Sequence, residues 1–67
     1  MKPLTFAEAV RLAEERGFSF RRSRGSHHIH RDAQGRRVVI PFHRGNIPIG
    51  TERAVLRAIG IDPATYR

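Results

Sequence analysis

Apolar residues recur along the chain at two different spacings, and the change of spacing divides it into elements. Phe6, Ala9, Val10 and Ala13 repeat at helical intervals, and Leu12 widens the stripe. Glu8, Arg11, Glu14 and Glu15 fall on the other side. Thr5-Phe6-Ala7-Glu8 has the capping-box spacing, with Thr5 accepting from the amide three residues on and Glu8 reaching back. Gly17 suits the left-handed position that ends a helix, so the spacing predicts a helix over 5–16. The period then changes to two. Phe18 and Phe20 alternate with polar neighbours and are expected to face a core. Gly25-Ser26 interrupts the alternation as a tight turn or a bulge. His27 to Arg31 reads as a second strand in which Ile29 is the one large apolar residue. With Ile29 turned inward, His27 and Arg31 share its face, and His28 and His30 take the other. Asp32-Ala33-Gln34-Gly35 is a hairpin turn. The third strand, Arg36 to Pro41, presents Val38 and Ile40 to the core, with Phe42 a candidate to join them, and turns Arg37 and Val39 away.

A loop over 42–48 carries His43, Arg44, Gly45 and Asn46. Pro48 opens a second helix over 48–59, whose stripe is Val55, Leu56 and Ile59, padded by Ala58 and stopped by Gly60. Asp62-Pro63 begins one last short turn. The order is α-β-β-β-α, an α+β domain: a three-stranded antiparallel sheet with two helices on one face. Sixty-seven residues make one domain over 1–67. The sheet's second face, with its arginines, is left to solvent or to a ligand.

Charge narrows the partner. Thirteen Lys and Arg against six Asp and Glu give +7, and all but Lys2 of the thirteen are arginine. The guanidinium forks onto phosphate in a bidentate way that lysine cannot match. Arg21, Arg22, Arg24, Arg31, Arg36, Arg37 and Arg44 are bunched in the central segment, which points to a polyanion and to nucleic acid first. There is no cysteine, hence no disulfide and no thiolate metal site, which fits a cytoplasmic protein. The opening Met1-Lys2-Pro3-Leu4 runs straight into a helix signal, so neither a signal peptide nor a membrane span is expected.

Three of the four histidines stand in Gly25-Ser26-His27-His28-Ile29-His30. A metal site is the first reading to weigh. His28 and His30 share a strand face and His43 is a third candidate, but the nearest acid is Asp32 and four ligands are wanting, so no metal is expected. A Ser-His-Asp triad is also poorly supported, because Ser26 and His27 are adjacent and point to opposite faces. General acid–base chemistry needs less. A histidine takes the proton from an RNA 2′-hydroxyl, which attacks the neighbouring phosphate, and arginines stabilise the charge that grows there. Gly25-Ser26 lets a phosphate approach closely. The competing reading is that these histidines and arginines only bind phosphates.

The residues also carry a resemblance. Gly17-Phe18, Gly25-Ser26-His27-His28-Ile29, Val39-Ile40-Pro41 with His43, Ile47-Pro48-Ile49-Gly50-Thr51, then Leu56 and Gly60-Ile61 together resemble the HicA toxins of bacterial toxin–antitoxin pairs. The match runs from about Phe6 to Ile61. The resemblance implies a double-stranded-RNA-binding-domain-like fold and a ribosome-independent mRNA interferase, and the residues themselves lead to the expectation of no cofactor. It implies His27, the first histidine after Gly-Ser, as the essential residue. It implies a HicB-type antitoxin as partner. Arg22, Arg24, Gly25, Ser26, His28, Arg31 and Arg44 are the expected RNA-binding residues around His27. The sequence departs from the family pattern at His30, where an aromatic is common, and in the loop before Pro48, where Arg44 stands alone and many relatives carry two or three basic residues.

Two other functions stay open at this point. The same element order suits a non-catalytic RNA-binding module that reads shape and phosphates. A degenerate toxin that only pairs with its antitoxin is less favoured, because His27 and the Gly-Ser lead are intact.

Overall fold

The computed structural model describes residues 3–66; Met1 and Lys2, which begin the N-terminal opening read above, and Arg67 lie outside the described residues. The elements are α1 (Phe6–Glu15), β1 (Ser19–Arg24), β2 (His27–Arg31), β3 (Arg37–Pro41) and α2 (Ile49–Ala58). The strands form one antiparallel sheet in the order β1-β2-β3. This is the α-β-β-β-α order expected from the periodicity.

Each helix starts and stops where its sequence dictates. The Thr5 hydroxyl accepts from the Glu8 amide at 3.2 Å, and the Glu8 carboxylate accepts from the Thr5 amide at 3.0 Å. That reciprocal pair satisfies two amides that have no partner inside the helix. Gly17 takes φ +91 just past the end of α1, a conformation that costs a side-chain-bearing residue energy. Pro48 is the N-cap of α2, and Gly60 (φ +88) ends it. After α2, the Asp62 carboxylate accepts from the Ala64 amide and its carbonyl from Thr65, which builds the short final turn.

Both helices pack on β3. Ala9 and Ala13, both fully buried, let α1 lie close to Val38 and Ile40. Val55, Leu56 and Ile59 bring α2 onto the same core, and Leu4, Phe18 and Ile47 close its ends. Burying a side chain of this size contributes about 1.5–3 kcal/mol. The β3 assignment therefore holds, with Val38 and Ile40 inward and Val39 outward.

The other two strands depart from expectation in three ways. First, Gly25-Ser26 is a tight turn, not a bulge. Arg24 pairs with His27 across it. Gly25 alone has positive φ (+59), the pattern of a type II′ hairpin turn. The bulge lies instead between Phe20 and Arg22, where the register shifts. Second, β2 is turned over. His30 pairs with Val38 and His28 with Ile40, so both histidines face the helices. Ile29 pairs with Arg22 and Val39 on the open face and is nevertheless buried, at 7% exposure. It shares that face with His27 and Arg31, as the alternation required. Third, Phe20 and Phe42 are not core residues; they are 52% and 53% exposed. The helices sit over β3, so the helix-side surface of β1, including Phe20, is left uncovered.

Two buried carboxylates fix the loops. Leu4 donates its amide to the Glu52 carboxylate at 2.9 Å, and Ile47 donates to the Leu4 carbonyl at 2.7 Å. The segment before α1 is thereby tied to the start of α2. Asp32 accepts from the amides of Gln34 and Arg36 and from the Arg36 guanidinium, the last at 2.6 Å, and so shapes the β2–β3 turn.

Candidate nucleic-acid interface

The open face of the sheet is built in rows by the strand pairing. One row is Arg24, His27 and Pro41; the next is Arg22, Ile29 and Val39; the third ends in Arg31 and Arg37. Side chains directly opposite on one face stand about 4.5–5.5 Å apart at Cβ. Arg24 and His27 are therefore immediate neighbours flanking the hairpin turn, and both are exposed. His27 is the first residue of β2, and its direction follows from the register. It faces away from the helices, among arginines.

The turn itself is pinned. Phe42 donates its amide to the Ser26 carbonyl at 2.6 Å, which continues the β2–β3 ladder one step past Pro41. The hairpin end that carries His27 is thus fixed against the start of the loop that carries Arg44. A β-carbon on Gly25 would meet nothing within 4 Å, so the surface at the turn is open.

Of the sequence-predicted residues, Arg22, Arg24, His27 and Arg31 come together on the open face. Their guanidinium groups are not equally free. Arg31 donates to the Gly35 carbonyl at 2.9 Å, and Arg36 is bound to Asp32 and lies 5.8 Å from the Phe18 ring. Among the described residues the guanidinium groups of Arg22, Arg24 and Arg44 have no hydrogen-bond or ion-pair partner. Arg44 lies in the exposed loop after β3. There His43 donates through Nδ1 to the Arg44 carbonyl at 2.8 Å. His28 does not join the open face. It sits on the helix side, half-buried against Phe6 and Phe20.

The electrostatics divide the histidines further. His30 is 2% exposed, and neither ring nitrogen has a hydrogen-bond partner among the described residues. Burial lowers its pKa below the ordinary histidine value; the nearby His28 lowers it too, and Glu14 opposes them. His30 is a neutral packing residue and not part of the basic face. Asp32 also departs from its ordinary value. Burial pushes its carboxyl up, but hydrogen bonds from the side chain and amide of Arg36, the Arg36 charge and the amide of Gln34 outweigh this and hold it low.

Two features escaped the sequence reading. Glu52 is 1% exposed and heads the stripe 52/55/56/59, and the helical spacing of that set was its signal. The second is a run of rings, Phe6, Phe20, His28 and Phe42, which no linear spacing groups together.

Fold and face define a small basic α+β domain that presents one histidine among arginines at a hairpin end. The HicA toxin family of bacterial toxin–antitoxin systems matches residues 6–61, and the chain belongs to that family. No curated protein matches it. No helix of the described residues is long and apolar enough to cross a membrane.

Proposed function

We propose that this toxin is a metal-independent endoribonuclease that cleaves mRNA through one catalytic histidine, His27, and that a HicB-type antitoxin inhibits it. The observation that carries the reading is His27 itself. It is exposed at the end of a pinned hairpin, next to Arg24 and on one face with Arg22 and Arg31. A neutral imidazole there accepts the proton of a 2′-hydroxyl. The hydroxyl oxygen then attacks the adjacent phosphorus, the bond from phosphorus to the 5′-oxygen of the next nucleotide breaks, and that oxygen takes its proton from the imidazolium so formed or from water. Arg22 and Arg24, free of other partners, supply fixed positive charge where the phosphorane-like state gains negative charge. Gly25 and Ser26 offer a surface with no bulk at the turn, and Arg44 adds charge from the neighbouring loop. The family is the second support, since membership of a toxin–antitoxin family implies an antitoxin partner.

The test is cleavage of a purified mRNA by antitoxin-free protein. Removing a general acid–base group costs about 10²–10⁴-fold in rate. His27→Ala is expected to lose at least about 100-fold while keeping its circular dichroism, and wild-type cleavage is expected to persist in EDTA. A His27→Ala protein that cleaves at the wild-type rate removes the catalytic role. RNA that is bound to saturation by the wild type yet stays intact would favour a non-catalytic RNA-binding module.

A further inference from the structure

The open arginine face accounts for phosphates but not for the aromatic surface on the sheet's other side. Phe20 and Phe42 are more than half exposed, an unusual state for such side chains in a chain this short of aromatic residues. They are not scattered. Phe20 lies 5.7 Å from the His28 ring, and His28 lies 6.3 Å from Phe42 with the two planes only 32° apart. Phe6 backs the group, at 5.0 Å from His28 and 5.2 Å from Phe42. The three rings Phe20, His28 and Phe42 run diagonally from the β1 edge, across β2, to the end of β3. α1 reaches the strip through Phe6, and Phe20 and Phe42 stay more than half exposed beside it.

From this we infer that the Phe20–His28–Phe42 strip is a base-stacking site for an unpaired nucleotide of a single-stranded RNA. The inference rests on the RNA-cleavage reading and specifies the form of its substrate. Charge selects the occupant. Arg21 follows Phe20 at the bulge, Arg44 follows Phe42 in its loop, and the chain carries +7. A single strand offers a flat apolar face and an anionic phosphate in every nucleotide, which matches rings bordered by arginines. A duplex keeps its bases stacked inward and has no face to give. The strip and His27 meet at the hairpin end, where the Phe42 amide is held by Ser26, the residue before His27. His27 and the Phe42 end of the strip thus lie on opposite faces at the same end of the sheet, and in the proposal a strand with its phosphate at His27 turns a neighbouring base round the hairpin onto the strip.

Binding can be read apart from cleavage with a 2′-O-methyl oligoribonucleotide, which has no free 2′-hydroxyl to attack. Its affinity for the full chain is measured by fluorescence anisotropy. Loss of one stacked base weakens single-strand binding by about tenfold. Phe20→Leu and Phe42→Leu are each expected to show that loss, whereas Phe20→Tyr and Phe42→Tyr, which keep the ring, retain wild-type affinity. Against an oligonucleotide made abasic throughout, the Leu variants and the wild type should bind alike. Both positions are exposed, so the fold is expected to survive; thermal melting of each variant checks that, and if a Leu variant melts early the wild type carries the test, because equal affinity for the base-bearing and abasic strands overturns the proposal. Leu variants that bind the base-bearing strand as tightly as wild type overturn the proposal. So does an equal loss against the abasic strand, or a loss confined to antitoxin binding, which would make the strip a protein-docking surface. Absence of mRNA cleavage by wild-type protein would refute the catalytic reading without altering these affinities.

Discussion

His30 carries two polar ring nitrogens into the core, and neither has a partner among the described residues. An unsatisfied buried group of this kind costs about 1–3 kcal/mol. The neighbouring Phe20 ring, 5.6 Å away and nearly edge-on, shows how an aromatic would pack at this position. His30→Phe is therefore expected to raise stability by about 1–3 kcal/mol. The gain should depend on pH. Because the folded pKa lies below the ordinary value near 6.5, the unfolded chain binds the extra proton first as pH falls. Stability is lost as pH drops from about 6.5 toward the lower folded value, and it is intact above that range. Asp32 acts in the same direction but only in the carboxylate range, below its ordinary value of 3.8, so the two effects are separated on the pH axis. Urea unfolding at pH about 8 and about 5 measures both proteins. The difference between His30→Phe and wild type should widen at the lower pH. A difference that is equal at both would show that His30 is not held neutral by its burial.

The elements show where sequence logic works and where it stops. Capping is local, so Thr5–Glu8 and Gly17 bound α1 within a residue of the expected 5–16. Val38 and Ile40 were legible because β3 alternates cleanly. The face of β2 was not, because its single large apolar residue, Ile29, suggested an inward direction. Cross-strand pairing decides otherwise: His28 and His30 stand opposite Ile40 and Val38, and parity then sends Ile29 and His27 outward. The consequence for the site was favourable, since it left His27 with Arg22 and Arg24 and removed His28 and His30 from them. Phe20 was misplaced for a different reason. Its parity was right, but the helices do not extend over β1. Glu52 was missed because a charge at a stripe position reads as surface. Its carboxylate is the partner of the buried Leu4 amide, so Glu52→Ala is expected to cost about 1–3 kcal/mol by leaving that donor unpaired. Hydrogen exchange should show the loss first at Leu4 and Ile47, which it links to α2. Unchanged protection there would mean the contact contributes nothing net.

Across the whole molecule, the +7 charge is divided between arginines that build the fold and arginines left for a ligand. Arg36 is committed to Asp32 and to the face of Phe18, and Arg31 reaches the Gly35 carbonyl of the same turn. Among the described residues Arg22, Arg24 and Arg44 have no such commitments. Salt dependence separates the two groups, because each phosphate contact with a single strand contributes about −0.7 to the slope of log affinity against log salt. Arg22→Gln and Arg24→Gln should each make the slope shallower by about 0.7 and leave the melting temperature near that of the wild type. Arg36→Gln should do the reverse. It leaves the buried Asp32 without its charged partner, lowers the melting temperature, and changes the salt slope little. Anisotropy titrations of the non-cleavable strand at several salt concentrations give the slopes, and thermal melts give the other half. If Arg36→Gln flattened the slope as much as Arg24→Gln does, the charge would act as a diffuse cloud, and the open face would have no privileged arginines.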